Sequence, residues 1–131
     1  MTTSKPLIAI VDDDVPVCRA LKRLVRSLGM NAEAFVSGQE FIEVLEAMPS
    51  SDPDCVVLDM QMPGMNGLAV QERLARSGHP IPVIFITAHD DVGVRERALA
   101  SGAVAYLRKP FNDELFIKTL RAALKDKAGD R

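Results

Sequence analysis

The chain has 131 residues, enough for one domain that buries roughly two thirds of its unfolded surface, so no disulfide is needed to hold it together. Sixteen basic against eighteen acidic residues leave a net charge of −2 with no basic block, which argues against direct nucleic-acid binding by this chain. Cys18 and Cys55 lie in apolar segments without paired spacing and read as reduced core thiols; no run of about 18 apolar residues and no leader-like start is present, so the expectation is a soluble, cytoplasmic protein without membrane contact.

In chain order, the first apolar run, Leu7 to Val11, predicts a buried strand that ends on Asp12, Asp13 and Asp14. A helix follows, with Leu21, Leu24, Val25 and Leu28 at helical spacing, Asp14 and Pro16 near its start and Gly29 as its stop. Its outer side carries Arg19, Lys22, Arg23 and Arg26, which form either a solvated face or a surface for a partner. Met30 to Phe35 reads as a weaker strand. Ser37 with Glu40 makes a capping box, and Val36 with Phe41 a hydrophobic staple, at the start of the second helix.

The third strand, Cys55 to Leu58, is apolar throughout and finishes on Asp59. In "MPGMNG" that follows, Pro63, Gly64 and Gly67 let the backbone turn sharply, and Asn66 is placed to cap the third helix. Pro82 to Ile86 runs into Thr87, and Val104 to Leu107 is followed by Lys109. Asn112 suits the cap of the fifth helix, Asp113 and Glu114 its positive end, and Phe111 a staple to Phe116. Residues 1–126 read as one domain, and 127–131 as a solvated tail or the start of a linker.

Five strands alternating with five helices imply an α/β domain with a parallel sheet covered on both faces, and "LIAIV", "CVVL" and "PVIFI" are apolar on both sides as that requires. Ligands collect beyond the carboxyl ends of strands in such a sheet. Asp12, Asp13, Asp59, Thr87 and Lys109 all stand where an apolar run stops. If the first and third strands are neighbours, the aspartates converge, and two such charges about 4 Å apart repel by roughly 4 kcal/mol at an effective dielectric near 20. A hard divalent cation answers that repulsion. Mg²⁺ suits it, because it takes one or two carboxylates while keeping waters and a phosphoryl oxygen, and Lys109 adds a second positive charge. Taken singly, each residue has a plainer reading: a turn and helix cap for the acids, packing for Thr87, surface for Lys109.

The stretches "IVDDD", "VVLDMQMPGMNGL", "FITA" and "YLRKPF" resemble the receiver domain of bacterial two-component response regulators, and "GAVAYLRKPF" looks most like receivers of the FixJ type. The resemblance implies a single doubly wound (βα)5 flavodoxin-like domain with strand order 2-1-3-4-5. It makes Asp59 the phosphoacceptor and Asp13 a direct Mg²⁺ ligand, with Asp12 acting largely through metal-bound water and the backbone carbonyl of Gln61 completing the metal site. Lys109 and Thr87 would contact phosphoryl oxygens, and the peptide bond before Pro110 would be cis. Thr87 and Tyr106 would relay the signal to the surface of the fourth helix, fifth strand and fifth helix. There Arg95, Tyr106, Arg108, Lys118 and Arg121 would line a homodimer face.

The implied partner is a histidine kinase or a histidine phosphotransfer protein, and the implied output is an attached or partner function, transcription foremost. His89 and Gln61 would tune dephosphorylation, while His79 reads as loop. An enzyme reading and a dinucleotide-binding reading are each opposed by a single feature. A dehalogenase-type phosphohydrolase places a second acid two residues after the nucleophile, where this chain has Gln61, and a dinucleotide-binding domain needs G-x-G-x-x-G where it has "VDDDVPV". A stand-alone interaction or phosphorelay module stays open beside the regulatory switch.

Overall fold

The computed structural model describes residues 5–48, 51–89 and 92–129, with side chains up to residue 125. Strands and helices alternate: β1 Leu7–Val11, α1 Val15–Ser27, β2 Asn31–Phe35, α2 Gly38–Ala47, β3 Cys55–Asp59, α3 Gly67–Arg76, β4 Val83–Thr87, α4 Val92–Ala100, β5 Ala105–Arg108 and α5 Asp113–Gly129. All pairings are parallel and the order is β2-β1-β3-β4-β5. β1 and β3 are therefore neighbours, with Val11 opposite Leu58.

Strand residues alternate between two cores, as the two-residue period of a strand dictates. Ile8 and Ile10 of β1 pack with Cys18, Leu21 and Val25 of α1 and with Phe116, Leu120 and Ala123 of α5. Ala9 and Val11 face the other way, toward Phe41, Ile42 and Leu45 of α2, Val70 and Leu74 of α3 and Ala98 of α4. Each large aliphatic or aromatic side chain removed from water on these faces contributes about 1.5–3 kcal/mol. Among the described residues no helix is long and apolar enough to cross a membrane.

The helix ends follow the sequence closely. Asp14 Oδ1 accepts from the Val17 N–H at 3.4 Å, Asn66 Oδ1 from Ala69 at 2.9 Å and Asn112 Oδ1 from Leu115 at 2.7 Å. Phe111 stacks on Phe116 with ring centroids 5.7 Å apart. The start of α2 departs in detail. Ser37 Oγ accepts from Glu40 N–H, but the Glu40 carboxylate reaches back to the Val36 N–H rather than to that of Ser37. Phe41 finds its aromatic partner in Phe35, edge-on at 5.3 Å, while Val36 stays 47% exposed. α5 runs to Gly129, across the boundary expected after residue 126; Asp130 and Arg131 lie outside the described residues.

Candidate functional site

The site forms at the carboxyl edge of β1, β3, β4 and β5. Asp12 follows β1 directly and is fully buried. Its backbone N–H is held by the Phe35 carbonyl at 3.0 Å, Oδ1 accepts from the Asp14 N–H at 2.9 Å and Oδ2 accepts from Lys109 Nζ at 2.8 Å. Asp59, the last residue of β3, is 4% exposed and opposite Ile86 of β4. Its Oδ1 accepts from the Gln61 N–H at 3.2 Å, and its Oδ2 lies 3.7 Å from Lys109 Nζ. Asp13 is exposed at the mouth.

The turn after Asp59 must bring α3 back against the strand that it left. A Cβ on Gly67 would stand 2.5 Å from the Asp59 carbonyl oxygen and 3.0 Å from Met60 Cα, so only glycine permits this approach. Gly64 takes the left-handed turn, φ +75°. On the other flank, the Lys109–Pro110 bond is cis and Lys109 Nζ lies against Asp12.

Three carboxylates face one ammonium here. A carboxylate oxygen from each of Asp12, Asp13 and Asp59 lies within 4.8 Å of the others, where a pair of charges repels by about 3.5 kcal/mol at a dielectric of 20. Asp59 shows the strain: burial first, then the charge of Asp12, pushes its pKa up to about 7, against the opposing pull of Lys109 and of the Gln61 N–H. For Lys109, burial works to lower the pKa, but the hydrogen bond to Asp12 and the charge of Asp59 outweigh it and the net shift is upward. Lys109 thus stays charged and still leaves an excess of negative charge. The donor set is all oxygen, paired with an exposed ligand at the mouth, which fits a small hard cation such as Mg²⁺. Cys18 points its thiol at the Asp12 carbonyl, 3.1 Å away, and burial together with Asp12 raises its pKa, so it serves packing.

Of the residues singled out in the sequence, Asp12, Asp13, Asp59 and Lys109 come together. Thr87 is fully buried at the end of β4, and its hydroxyl meets two groups: the Gln61 side-chain carbonyl at 2.5 Å and the backbone of His89. The sequence singled out Gln61 for its backbone carbonyl and as a residue that would tune dephosphorylation, but its side-chain contact with Thr87 was not legible there. Tyr106 is half-buried against the α2–α3–α4 core, opposite Phe85 and two register steps from the Thr87–Arg108 pair, and the Arg95 guanidinium stands 5.7 Å above its ring. Arg108, Lys118 and Arg121 are exposed, as are Arg19, Arg23 and Arg26 on α1, with Lys22 half-buried. His79 sits in the α3–β4 loop, away from the cluster, with Nδ1 2.8 Å from Asp52.

Comparison with known proteins gives one answer. Residues 8–121 match the response regulator receiver domain family. The response regulator protein TodT of Pseudomonas putida is 42% identical over 125 residues, which are 95% of this chain and 54% of TodT. The transcriptional regulatory protein FixJ of Bradyrhizobium diazoefficiens is 33% identical over 123 residues, 94% of this chain and 58% of FixJ. The chain thus spans a little over half the length of these curated relatives. A response regulator receiver protein from Burkholderia phymatum, solved by crystallography, is 63% identical and superposes with a TM-score of 0.84, covering 92% of this chain and 96% of that one.

Proposed function

The chain belongs to the response regulator receiver domain family, and on that premise we propose that it is the phosphoacceptor switch of a two-component system, with Asp59 as the residue that takes the phosphoryl group. The observation that carries the reading is the convergence of Asp12, Asp13, Asp59 and Lys109 in one pocket with too few positive charges of its own. The receiver unit is read as residues 1–126.

In the proposed reaction an Asp59 carboxylate oxygen attacks phosphorus in line. The new O–P bond forms as the P–N bond to the donor histidine breaks, and the imidazole keeps the electron pair. Asp12 and Asp13, with Asp59 and the Gln61 carbonyl, would hold Mg²⁺. When bound, that ion supplies the charge that returns Asp59 to its ionised form and neutralises phosphoryl oxygens. Lys109, held ready by Asp12 at 2.8 Å, turns from the carboxylates to a phosphoryl oxygen. Thr87 donates its hydroxyl to another. Withdrawal of Thr87 frees room beside Tyr106, and the surface of α4, β5 and α5 changes shape. Water then hydrolyses the acyl phosphate, so the domain is a timed regulatory element rather than an enzyme acting on a metabolite.

The donor is a histidine kinase or a histidine phosphotransfer protein. The output is transcription, by analogy with FixJ, through an attached or partner domain and with the α4–β5–α5 face available for a homodimer. Intact-mass measurement after incubation with Mg²⁺ and acetyl phosphate tests the reading. One phosphoryl group per chain, lost in Asp59→Asn, supports it; turnover without accumulation points to an enzyme, and no labelling to an interaction module.

A further inference from the structure

The Thr87 hydroxyl has one proton to donate. Its oxygen lies 2.5 Å from Gln61 Oε1 and 3.1 Å from the His89 carbonyl oxygen, and it accepts the His89 N–H at 3.0 Å. Two oxygens approach to 2.5 Å through a shared proton, whereas an amide N–H keeps a longer distance, so the group facing Thr87 is the side-chain carbonyl of Gln61 and the proton points at it. Thr87 is fully buried beneath the Gln61 side chain. Gln61 itself is exposed and borders an open groove of about 460 Å³ lined also by Met62, Asn66, Val94 and Arg97, so its side chain has somewhere to go.

We infer that the Gln61 side chain is a latch: it holds the Thr87 hydroxyl in the resting orientation and competes with the phosphoryl group on Asp59 for that one proton. The inference rests on the reading of Asp59 as phosphoacceptor. Gln61 is a positioning residue, acting through Thr87. Its backbone N–H bond to Asp59 is independent of the side chain and survives substitution. Switching exchanges one hydrogen bond for another, and the amide oxygen sets how strongly the phosphoryl group must pull.

The test is a double-mutant cycle on Gln61→Met and Thr87→Val, with beryllofluoride plus Mg²⁺ as the phosphoryl mimic and affinity read by calorimetry. Methionine keeps the length of glutamine without the amide acceptor, and position 61 is exposed, so the fold is not at risk. A second readout needs no metal: Tyr106 is the single tyrosine of a chain without tryptophan, so tyrosine emission reports that ring alone. Gln61→Met should tighten beryllofluoride binding about fivefold, the worth of one hydrogen bond, and should change nothing when residue 87 is valine. Metal-free Gln61→Met should shift Tyr106 emission part of the way toward that of beryllofluoride-saturated wild type. An unchanged affinity in Gln61→Met, or the same gain with valine at 87, overturns the latch and leaves the Asp59 reading standing. A wild-type chain that binds no beryllofluoride and takes no label at Asp59 overturns both.

Discussion

Helices α4 and α5 flank the same edge strand, β5, and are held in opposite ways. α5 sinks Phe116, Leu120 and Ala123 into the core shared with α1, and its first turn is fixed by Asn112 and by the Phe111–Phe116 stack. α4 buries only Ala98 among its described residues, while Val92 is 74% and Leu99 48% exposed. The charged cluster is built on the well-anchored part: Asp12, Asp59 and Thr87 stand on central strands at 0–4% exposure. Chemistry that needs fixed distances sits where packing is dense, and the element expected to respond sits where little free energy opposes its movement.

Removing a ring from the anchored side gives the largest expected effect. Phe116→Ala should cost about 3–5 kcal/mol in urea unfolding, because Phe116 is fully buried and its neighbours cannot close the cavity. A loss below about 1 kcal/mol would erase the contrast between the helices.

The electrostatic load on the anchored side comes next. Asp59 holds its proton more tightly in the folded chain, with a pKa of about 7, than in the unfolded chain, near 4. Its contribution to stability is therefore fully present below about pH 4 and is lost as pH rises through 7. Without divalent ions, Asp59→Asn should be more stable than wild type at pH 8, on the order of 2 kcal/mol, with the gain shrinking as pH falls toward 5. Urea midpoints across pH measure it, and a gain that grows in acid would reverse the assignment.

Loss of a cap is smaller. Asn112→Ala should cost about 1 kcal/mol by freeing the Leu115 N–H at the start of α5, again read from urea midpoints. The smallest effect belongs to α4. Leu99→Ala should move global stability by less than about 0.5 kcal/mol, and the α4 amides should exchange with solvent well before those of β3 and α5. Exchange of α4 in step with the core strands would show that it is as firmly held as α5.

Most of this architecture was legible because the signals are local. Apolar runs of four or five residues bounded by turn residues are too short for a typical helix and read as buried strands, and Asp14, Asn66 and Asn112 announce helix starts by their own side-chain chemistry. The convergence of Asp12, Asp13, Asp59 and Lys109 followed from strand ends once β1 and β3 were neighbours. The Gln61–Thr87 bond was not legible: 26 residues separate the pair, and an exposed glutamine in a loop carries no pattern that names its partner. The edge-on packing of Phe41 against Phe35 was hidden for a related reason, since only the packed geometry brings the end of β2 against the first turn of α2. The loose hold on α4 likewise needed the packed structure, because exposure of Leu99 depends on what α4 rests against.

Calorimetric titration of Mg²⁺ into the metal-stripped chain, beside Asp13→Asn and Asp59→Asn, goes straight to the pocket of three carboxylates. One saturable site in the wild type, weakened at least about tenfold in each variant, is the expected result. Absence of binding, or equal binding in all three, would contradict it.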